Sequence, residues 1–163
     1  MYREAVIQAA FDAIARRGFE GLRLRAVAAE AGIPYATLHH HFATKQDLVS
    51  AVVERATAQL RATPVPGGTT EGLRQHLALL TRAIAERPEL FLVLRELDLR
   101  STRDPTVRAI VASREEGWRA SLTETLGDPA AAELVIATVK GVSLRPDLAP
   151  AVLGRLGRVL GAD

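Results

Sequence analysis

Apolar side chains recur along most of the chain at the three- and four-residue spacing of an amphipathic helix. The alternating pattern of a half-buried strand is nearly absent. The first helical stretch, residues 2–17, places Ile7, Phe11 and Ile14 on one face, and it is followed by Gly18, a residue type that commonly ends helices. The pattern therefore predicts an all-α fold.

Two short helices separated by a tight turn are predicted within residues 24–48. The helices span about 25–31 and 35–41, and Gly32 between them can take the left-handed backbone conformation that ends the first helix. Ala28 is small enough to let the two helices cross closely. The side chains left outside are aromatic, hydroxyl and basic groups, which suit contact with a nucleic-acid backbone. This arrangement is the sequence form of a DNA-reading helix-turn-helix.

Three stretches of this region carry a family resemblance: GFEGL at 18–22, VAAEAGI at 27–33 and TLHHHFATK at 37–45. Together they resemble the N-terminal DNA-binding domain of tetracycline-repressor-like (TetR) transcriptional regulators, and the close matching covers residues 4–56. The resemblance implies an N-terminal three-helix DNA-binding domain followed by a C-terminal helical domain for ligand binding and dimerisation. It also implies a sequence-specific regulator, a ligand-responsive repressor that acts as a homodimer on a pseudo-palindromic operator.

The chain departs from the family pattern at three positions. His39 stands where the family usually has Tyr, Arg23 where a Ser or Thr caps the first motif helix, and Pro34 where a Ser starts the reading helix. Proline suits a first helical turn, and a packed domain tolerates a lost cap, which costs about 1 kcal/mol. His39 is expected to donate to a phosphate more weakly than tyrosine would, and with a dependence on pH.

The resemblance also indicates which side chains contact double-stranded DNA. Tyr35 and Ala36 correspond to positions that read bases, and Thr37, His39, His40 and Lys45 correspond to positions that face phosphates; a solvated helix surface is the competing interpretation for each. Arg25, at the start of the first motif helix, is a further phosphate candidate. The predicted DNA-binding residues are Arg25, Tyr35, Ala36, Thr37, His39, His40 and Lys45.

A cluster of helix-breaking residues, TPVPGGTT at 63–70, follows the fourth predicted helix. Thr44 is the expected N-cap of that helix, and Asp47 lies in its first turn. We expect a helix-turn-helix DNA-binding domain over 1–45, a connecting helix over 46–62, and a C-terminal effector-binding and dimerisation domain over 63–163.

The last two predicted helices carry long apolar stripes that a chain of this size has difficulty burying. The stripes are either ordinary core or a dimer interface. In the resembling proteins the last two helices of each of two subunits pair into a four-helix bundle. The two helix-turn-helix domains of the dimer then match the two half-sites of the operator. The predicted interface residues are Leu134, Val135, Val139, Val142, Val152, Leu153, Leu156, Val159 and Leu160.

Polar residues within the middle helices are candidates for the pocket of an unknown small-molecule effector. Arg114, for example, interrupts an apolar stripe between Val111 and Trp118, although a surface arginine explains it equally well. An arginine in the pocket would favour an anionic or carbonyl-bearing effector. The candidates are His76, Arg82, Arg95, Asp98, Arg114 and Trp118.

Composition and charge limit the alternatives. The chain has no cysteine, which excludes a disulfide framework and suits a reducing cytoplasm. No apolar run approaches the roughly 20 residues that cross a bilayer, and Glu4 and Asp12 interrupt a signal-peptide layout, so we expect a cytoplasmic protein and no membrane partner. The formal net charge is only +2, so DNA binding is expected to depend on a local arrangement of charges. The basic arm that usually precedes the first helix in the resembled family is nearly absent, since only Met1 and Tyr2 precede Arg3.

Catalytic and metal chemistry find little support in the sequence. Consecutive residues on a helix point about 100° apart, so the run His39–His41 does not converge on one ion; we expect His41 to be buried or half-buried beside Phe42. The chain has no Glu-x-x-His pair, no Gly-x-Ser-x-Gly and no phosphate-cradling glycine loop, so neither an enzyme nor a cofactor is predicted. A protein-interaction module whose helix-turn-helix no longer reads DNA remains the alternative.

Overall fold

A computed structural model of the chain describes residues 2–61 and 70–162. Those ranges contain no strand, which confirms the all-α prediction, and no helix that is long and apolar enough to cross a membrane. Short 3-10 turns, which were not predicted, lie at Phe19–Gly21 and Pro146–Leu148. The helices are α1 (Tyr2–Arg17), α2 (Leu24–Glu30), α3 (Tyr35–His41), α4 (Lys45–Arg61), α5 (Thr70–Glu86), α6 (Pro88–Ser101), α7 (Pro105–Leu126), α8 (Pro129–Val142) and α9 (Ala149–Val159).

Short polar side chains begin two of the longer helices. The backbone N–H of Asp47 donates to Thr44 Oγ1 (3.1 Å), and the N–H of Thr44 donates to Asp47 Oδ2 (2.9 Å), so the predicted cap of α4 is confirmed. Asp104 immediately precedes α7, and its Oδ1 accepts hydrogen bonds from the N–H groups of Val107 (3.3 Å) and Thr106 (3.0 Å) in the first turn of that helix. These backbone N–H groups, with Val107 first, lower the pKa of Asp104 because they stabilise its charged form.

Packing divides the chain into two compact units. The N-terminal unit comprises Met1–Gln59 and Leu92–Arg114, and the C-terminal unit comprises Leu60–Phe91 and Glu115–Asp163. Helices α6 and α7 each contribute residues to both units. The segment predicted as the domain boundary, residues 63–70, falls outside the described ranges except at its last residue, and the functional division of the chain stays a prediction.

In the N-terminal unit, α1 packs against α2 and α3, and α2 packs against α3. Burying aliphatic and aromatic side chains supplies the main driving force for this packing. The core of the unit includes Val6, Ile7, Ala10, Phe11 and Ile14 from α1, Val27 and Leu38 from the next two helices, and Leu48, Val49 and Val52 from α4.

In the C-terminal unit, α5 packs along α9, and α8 also packs against α9. A Cβ atom added at Gly157 of α9 would lie 3.4 Å from Leu77 Cδ1 of α5, which is an ordinary van der Waals contact. The core of this unit includes Leu73, Leu77, Leu80 and Ile84 from α5, Val135, Ile136 and Val139 from α8, and Leu153 and Leu156 from α9.

Candidate nucleic-acid interface

The turn between α2 and α3 is closed by backbone hydrogen bonds. The N–H of Ile33 donates to the carbonyl of Ala28 (3.0 Å), and the N–H of Gly32 donates to the carbonyl of Ala29 (3.1 Å). Gly32 has φ of 69°, so its predicted left-handed conformation is confirmed. This bonding pattern is a Schellman motif, and the burial of Ile33 supplies the apolar contact that accompanies it. The motif fixes the direction in which α3 leaves the turn.

Helix α3 buries one residue and leaves most of the others outside. Leu38 is fully buried, and Thr37 is half-buried. Ala36, His39 and His40 are exposed. The outer surface of α3 therefore consists largely of the side chains predicted from the sequence to contact DNA.

The three consecutive histidines all lie at the surface. His41 is exposed, so the prediction that it is buried or half-buried was wrong. Helix α3 ends at His41, and the following residue, Phe42, turns into the core with 2% exposure and takes the packing role. Among the described residues, no group of three or more His, Asp or Glu side chains is arranged to hold a metal ion.

Tyr35, His39 and Arg25 form one cluster on the outer surface of the helix-turn-helix. The Tyr35 hydroxyl and His39 Nε2 are 2.8 Å apart, and the two rings meet edge to face with centroids separated by 4.6 Å. The Arg25 guanidinium, which comes from α2, lies 5.5 Å from the centre of the Tyr35 ring. The three residues are separate candidates in the sequence, and the structure brings them together.

Lys45 lies at the start of α4 and is half-buried. Its Nζ is 4.8 Å from the centre of the Phe19 ring, and the Arg100 guanidinium is 4.9 Å from the same ring. Burial lowers the pKa of Lys45, because removal from water disfavours the ammonium; Glu20 acts in the opposite direction. A phosphate beside Lys45 would supply a counter-charge to this partly desolvated cation.

Glu96 of α6 holds the loop that precedes the helix-turn-helix. The N–H of Phe19 donates to Glu96 Oε2 (3.0 Å), and a Cβ atom at Gly18 would lie 2.9 Å from the same oxygen. Arg100, one turn further along α6, pairs with Glu20 at 3.4 Å. Glu96 and Arg100 were not predicted from the sequence, because their partners lie almost 80 residues away and no local spacing indicates the contact.

Residues 6–52, which span this helix-turn-helix, match the family of bacterial regulatory proteins described as the tetR family. The chain is TetR-like. Its fold is also that of TetR-family regulators, since a member of the TetR family from Streptomyces coelicolor A3 is 28% identical, with a TM-score of 0.81 over 96% of this chain and 98% of that one.

Two further solved structures resemble the TetR-like chain along nearly its whole length. The multidrug binding protein EbrR, complexed with ethidium, is 28% identical with a TM-score of 0.76, over 96% of this chain and 98% of that one. A transcriptional regulator from Rhodococcus sp. Rha1 is 24% identical with a TM-score of 0.82, over 99% and 95%, and this likeness concerns the fold alone. No curated protein sequence matches the chain.

The six predicted effector-pocket residues of the TetR-like chain divide between the two units. In the C-terminal unit, Trp118 Nε1 donates to Nε2 of the buried His76 (3.1 Å), whereas Arg82 is exposed and pairs with Glu86 at 3.5 Å. The N-terminal unit contains the other three, Arg95, Asp98 and Arg114. Within the C-terminal unit, the structure thus brings His76 and Trp118 together.

The predicted dimer-interface residues of the TetR-like chain fall into two groups that differ in burial. Leu134 (46% exposed), Val152 (36%) and Val159 (62%) lie on the surface, and Leu160 is half-buried. The other five are buried within the single chain: Val135, Val139, Val142, Leu153 and Leu156. The interface itself stays a prediction.

Proposed function

We propose that this TetR-like chain is a cytoplasmic, homodimeric transcriptional repressor that binds an operator through α3 and releases it when a small molecule binds. The observation that carries the proposal is the construction of α3. Leu38 anchors the helix, the Schellman turn sets its direction, and an aromatic, polar and basic surface faces outward. A helix presented in this way fits the major groove, which is about 12 Å wide.

The proposed contacts separate into positioning and reading. Arg25, Thr37, His40 and Lys45 approach phosphates, which contribute affinity without sequence information. Tyr35 and Ala36 approach base edges in the groove. Because the chain as a whole carries a formal charge of only +2, these local cations supply the electrostatic attraction.

Two DNA-binding domains are needed to read a pseudo-palindrome, and exposed positions on α8 and α9 that are mostly apolar or small support a pairing surface. One face of α8 consists of exposed residues that recur at intervals of four, three and four: Ala130, Leu134, Ala137 and Gly141. The same intervals separate the exposed Leu148, Val152, Arg155 and Val159 on and just before α9. Two such faces from each of two copies would form a four-helix interface with two-fold symmetry.

For effector binding we propose the surroundings of the His76–Trp118 pair. EbrR, whose fold this chain shares, forms a complex with ethidium. Trp118 is partly exposed and its ring meets that of the buried His76, so the indole offers an aromatic face to such a planar molecule. A ligand causes release of DNA only if it binds more tightly to the protein conformation in which the spacing of the two DNA-binding domains does not fit the operator.

The DNA-binding proposal is tested by the salt dependence of binding. We expect Lys45→Ala to weaken binding to every DNA sequence and to reduce the slope of log K against log salt by about one unit per subunit, because one phosphate contact and its released counterion are lost. Footprinting on genomic fragments first identifies the operator, and fluorescence anisotropy then gives the slope.

Arg82→Ala is the matched control, because it removes an exposed cation of α5 that pairs with Glu86 and has no proposed role on DNA. An unchanged slope for Lys45→Ala would rule out its phosphate contact. Failure of the wild-type chain to bind any fragment, even at low salt, would reject the proposed function in favour of an interaction module.

A further inference from the structure

His39 makes a hydrogen bond whose direction depends on its protonation. The Tyr35 hydroxyl and His39 Nε2 are 2.8 Å apart on the exposed surface of α3, one helical turn from each other. A phenol has one proton to donate and lone pairs to accept with. When it gives that proton to a neighbouring nitrogen, it presents only acceptors to any other partner. When it accepts from the nitrogen, its own proton is free to point elsewhere.

A neutral imidazole permits both directions, because Nε2 carries a hydrogen in one tautomer and a lone pair in the other. A protonated imidazole permits one direction only, since both ring nitrogens then donate. Protonation of His39 therefore forces Nε2–H to donate to the Tyr35 oxygen. The hydroxyl proton of Tyr35 is then left to donate outward, toward whatever faces α3.

We propose that His39 is a specificity-determining residue whose protonation converts Tyr35 from a hydroxyl that either donates or accepts into one that only donates to DNA. The inference rests on the proposed function, in which Tyr35 approaches a base edge. A donor favours the major-groove acceptors G O6, G N7, A N7 and T O4, and disfavours the amino groups of C and A. The operator preference at this one position becomes sharper when His39 takes up a proton.

Other charged or titratable groups lie beside the pair. The Arg25 guanidinium of α2 is 5.5 Å from the centre of the Tyr35 ring, and His40 follows His39 on α3.

Two effects of low pH must be separated. Added charge on His39 and His40 strengthens binding to all sequences alike, since it acts on phosphates. The change in hydrogen-bond direction alters the ratio of affinities between base pairs at a single operator position. Only the ratio reports the proposed mechanism.

The experiment measures binding to an operator in which one base pair at a time is replaced by each of the other three. The position whose preference is lost in Tyr35→Phe faces the hydroxyl. At that position, wild-type discrimination between the best and worst base pair is expected to rise roughly three- to tenfold between pH 8 and pH 6, since one hydrogen bond is gained or lost. His39→Gln, which has a donor and an acceptor but does not titrate, is expected to keep a constant ratio.

Four outcomes are decisive when folding at both pH values is verified by circular dichroism. A ratio that rises in the wild type and in His40→Gln, but not in His39→Gln, supports the inference. A ratio that is constant in a wild type that binds its operator overturns the inference and leaves the proposed function intact. A rise that persists in His39→Gln also overturns it. Absence of DNA binding at both pH values overturns the inference together with the proposed function.

Discussion

Gly18 and Gly32 adopt the same backbone conformation in different surroundings. Both have φ of 69°, a region that side-chain-bearing residues of L chirality rarely adopt. No heavy atom lies within 4 Å of a Cβ position at Gly32, whereas Glu96 Oε2 lies 2.9 Å from the one at Gly18. An alanine at Gly32 would therefore cost backbone strain alone, whereas an alanine at Gly18 would also clash with the Glu96 side chain.

We expect Gly32→Ala to lower the free energy of unfolding by about 1–2 kcal/mol, the strain of a left-handed alanine. Gly18→Ala is expected to lower it further, because the added methyl group also displaces the Glu96 carboxylate from the Phe19 N–H. The lost hydrogen bond adds about 1 kcal/mol. Urea denaturation of the two variants measures the difference.

Glu96→Ala supplies the control for this comparison. If the carboxylate is the obstacle, the double variant Gly18→Ala with Glu96→Ala will be more stable than the sum of the single effects allows. Strict additivity would instead mean that Glu96 moves aside without loss. Gly32→Ala should add to Glu96→Ala independently, since the two sites share no contact.

At the scale of the element, the first turn of α5 is stabilised by a pH-dependent pair. Arg74 donates to both oxygens of Glu71 (2.8 and 2.5 Å), and Gln75 donates to one of them (2.7 Å). These side-chain hydrogen bonds, with Arg74 first, lower the pKa of Glu71 from 4.5 to about 2. A lowered pKa in the folded state means that the contribution to stability is complete above pH 4.5 and is lost as pH falls toward 2.

We expect Arg74→Ala to raise the pKa of Glu71 toward its ordinary value of 4.5, because the strongest of these donors is removed. Carboxylate chemical shifts in an NMR titration measure the change. Arg145→Ala is the matched control, since Arg145 lowers the pKa of Asp147 in the same way but has no role at Glu71. A Glu71 pKa that does not move in Arg74→Ala would contradict the pairing.

Helix positions were predictable from the sequence because their ends carry local signals. The bounds of α1 agree with the prediction, since Gly18 follows its last residue. Which face of α8 is buried was not predictable, because this helix carries apolar or small residues on more than one side. Val135 and Val139 pack into the core, while Leu134 and Ala137 remain exposed.

At the scale of the whole molecule, the exposed faces of α8 and α9 form the proposed pairing surface. We expect Leu134→Asp combined with Val159→Asp to convert a dimer into monomers, because each copy would place two charges in an apolar interface. Light scattering during size-exclusion chromatography measures the mass. The resulting monomer should also bind its operator more weakly, since two linked heads gain from their effective concentration.

Leu99→Asp is the control, because Leu99 is a large exposed apolar residue (56%) that lies outside the proposed interface. A dimer that persists in the double variant would place the interface elsewhere. A charge at the buried Leu156 would not answer the question, since it would disrupt the core of a single chain as well.

The proposed effector site is accessible to a direct optical test. Trp118 is the only tryptophan in the chain, so intrinsic fluorescence reports on one position. We expect ethidium to quench this fluorescence in a saturable manner and to weaken operator binding. The factor by which ethidium lowers operator affinity should equal the factor by which the operator lowers ethidium affinity. Quenching that rises linearly without saturation, with unchanged operator affinity, would count against the site.

His76→Ala is the corresponding variant and is expected to weaken quenching by ethidium. Arg74→Ala is the matched control, because this exposed arginine of α5 pairs with Glu71 and is not among the predicted effector-pocket residues. Equal losses in both variants would point to a general change in the C-terminal unit. The sequence identified both aromatic partners, but their contact depends on α5 and α7 meeting in space, which residue spacing alone does not specify.

The Glu96–Phe19 hydrogen bond matters when the N-terminal helices of this chain are fused to a different C-terminal domain. A chimaera that joins the first 61 residues to a foreign partner would lose the carboxylate that holds Phe19 and the guanidinium that flanks its ring. Such a chimaera would contain α3 but not the contacts that Glu96 and Arg100 of α6 make with Phe19. A graft that includes residues 92–114 would preserve both contacts, which makes the transferable segment discontinuous in the chain.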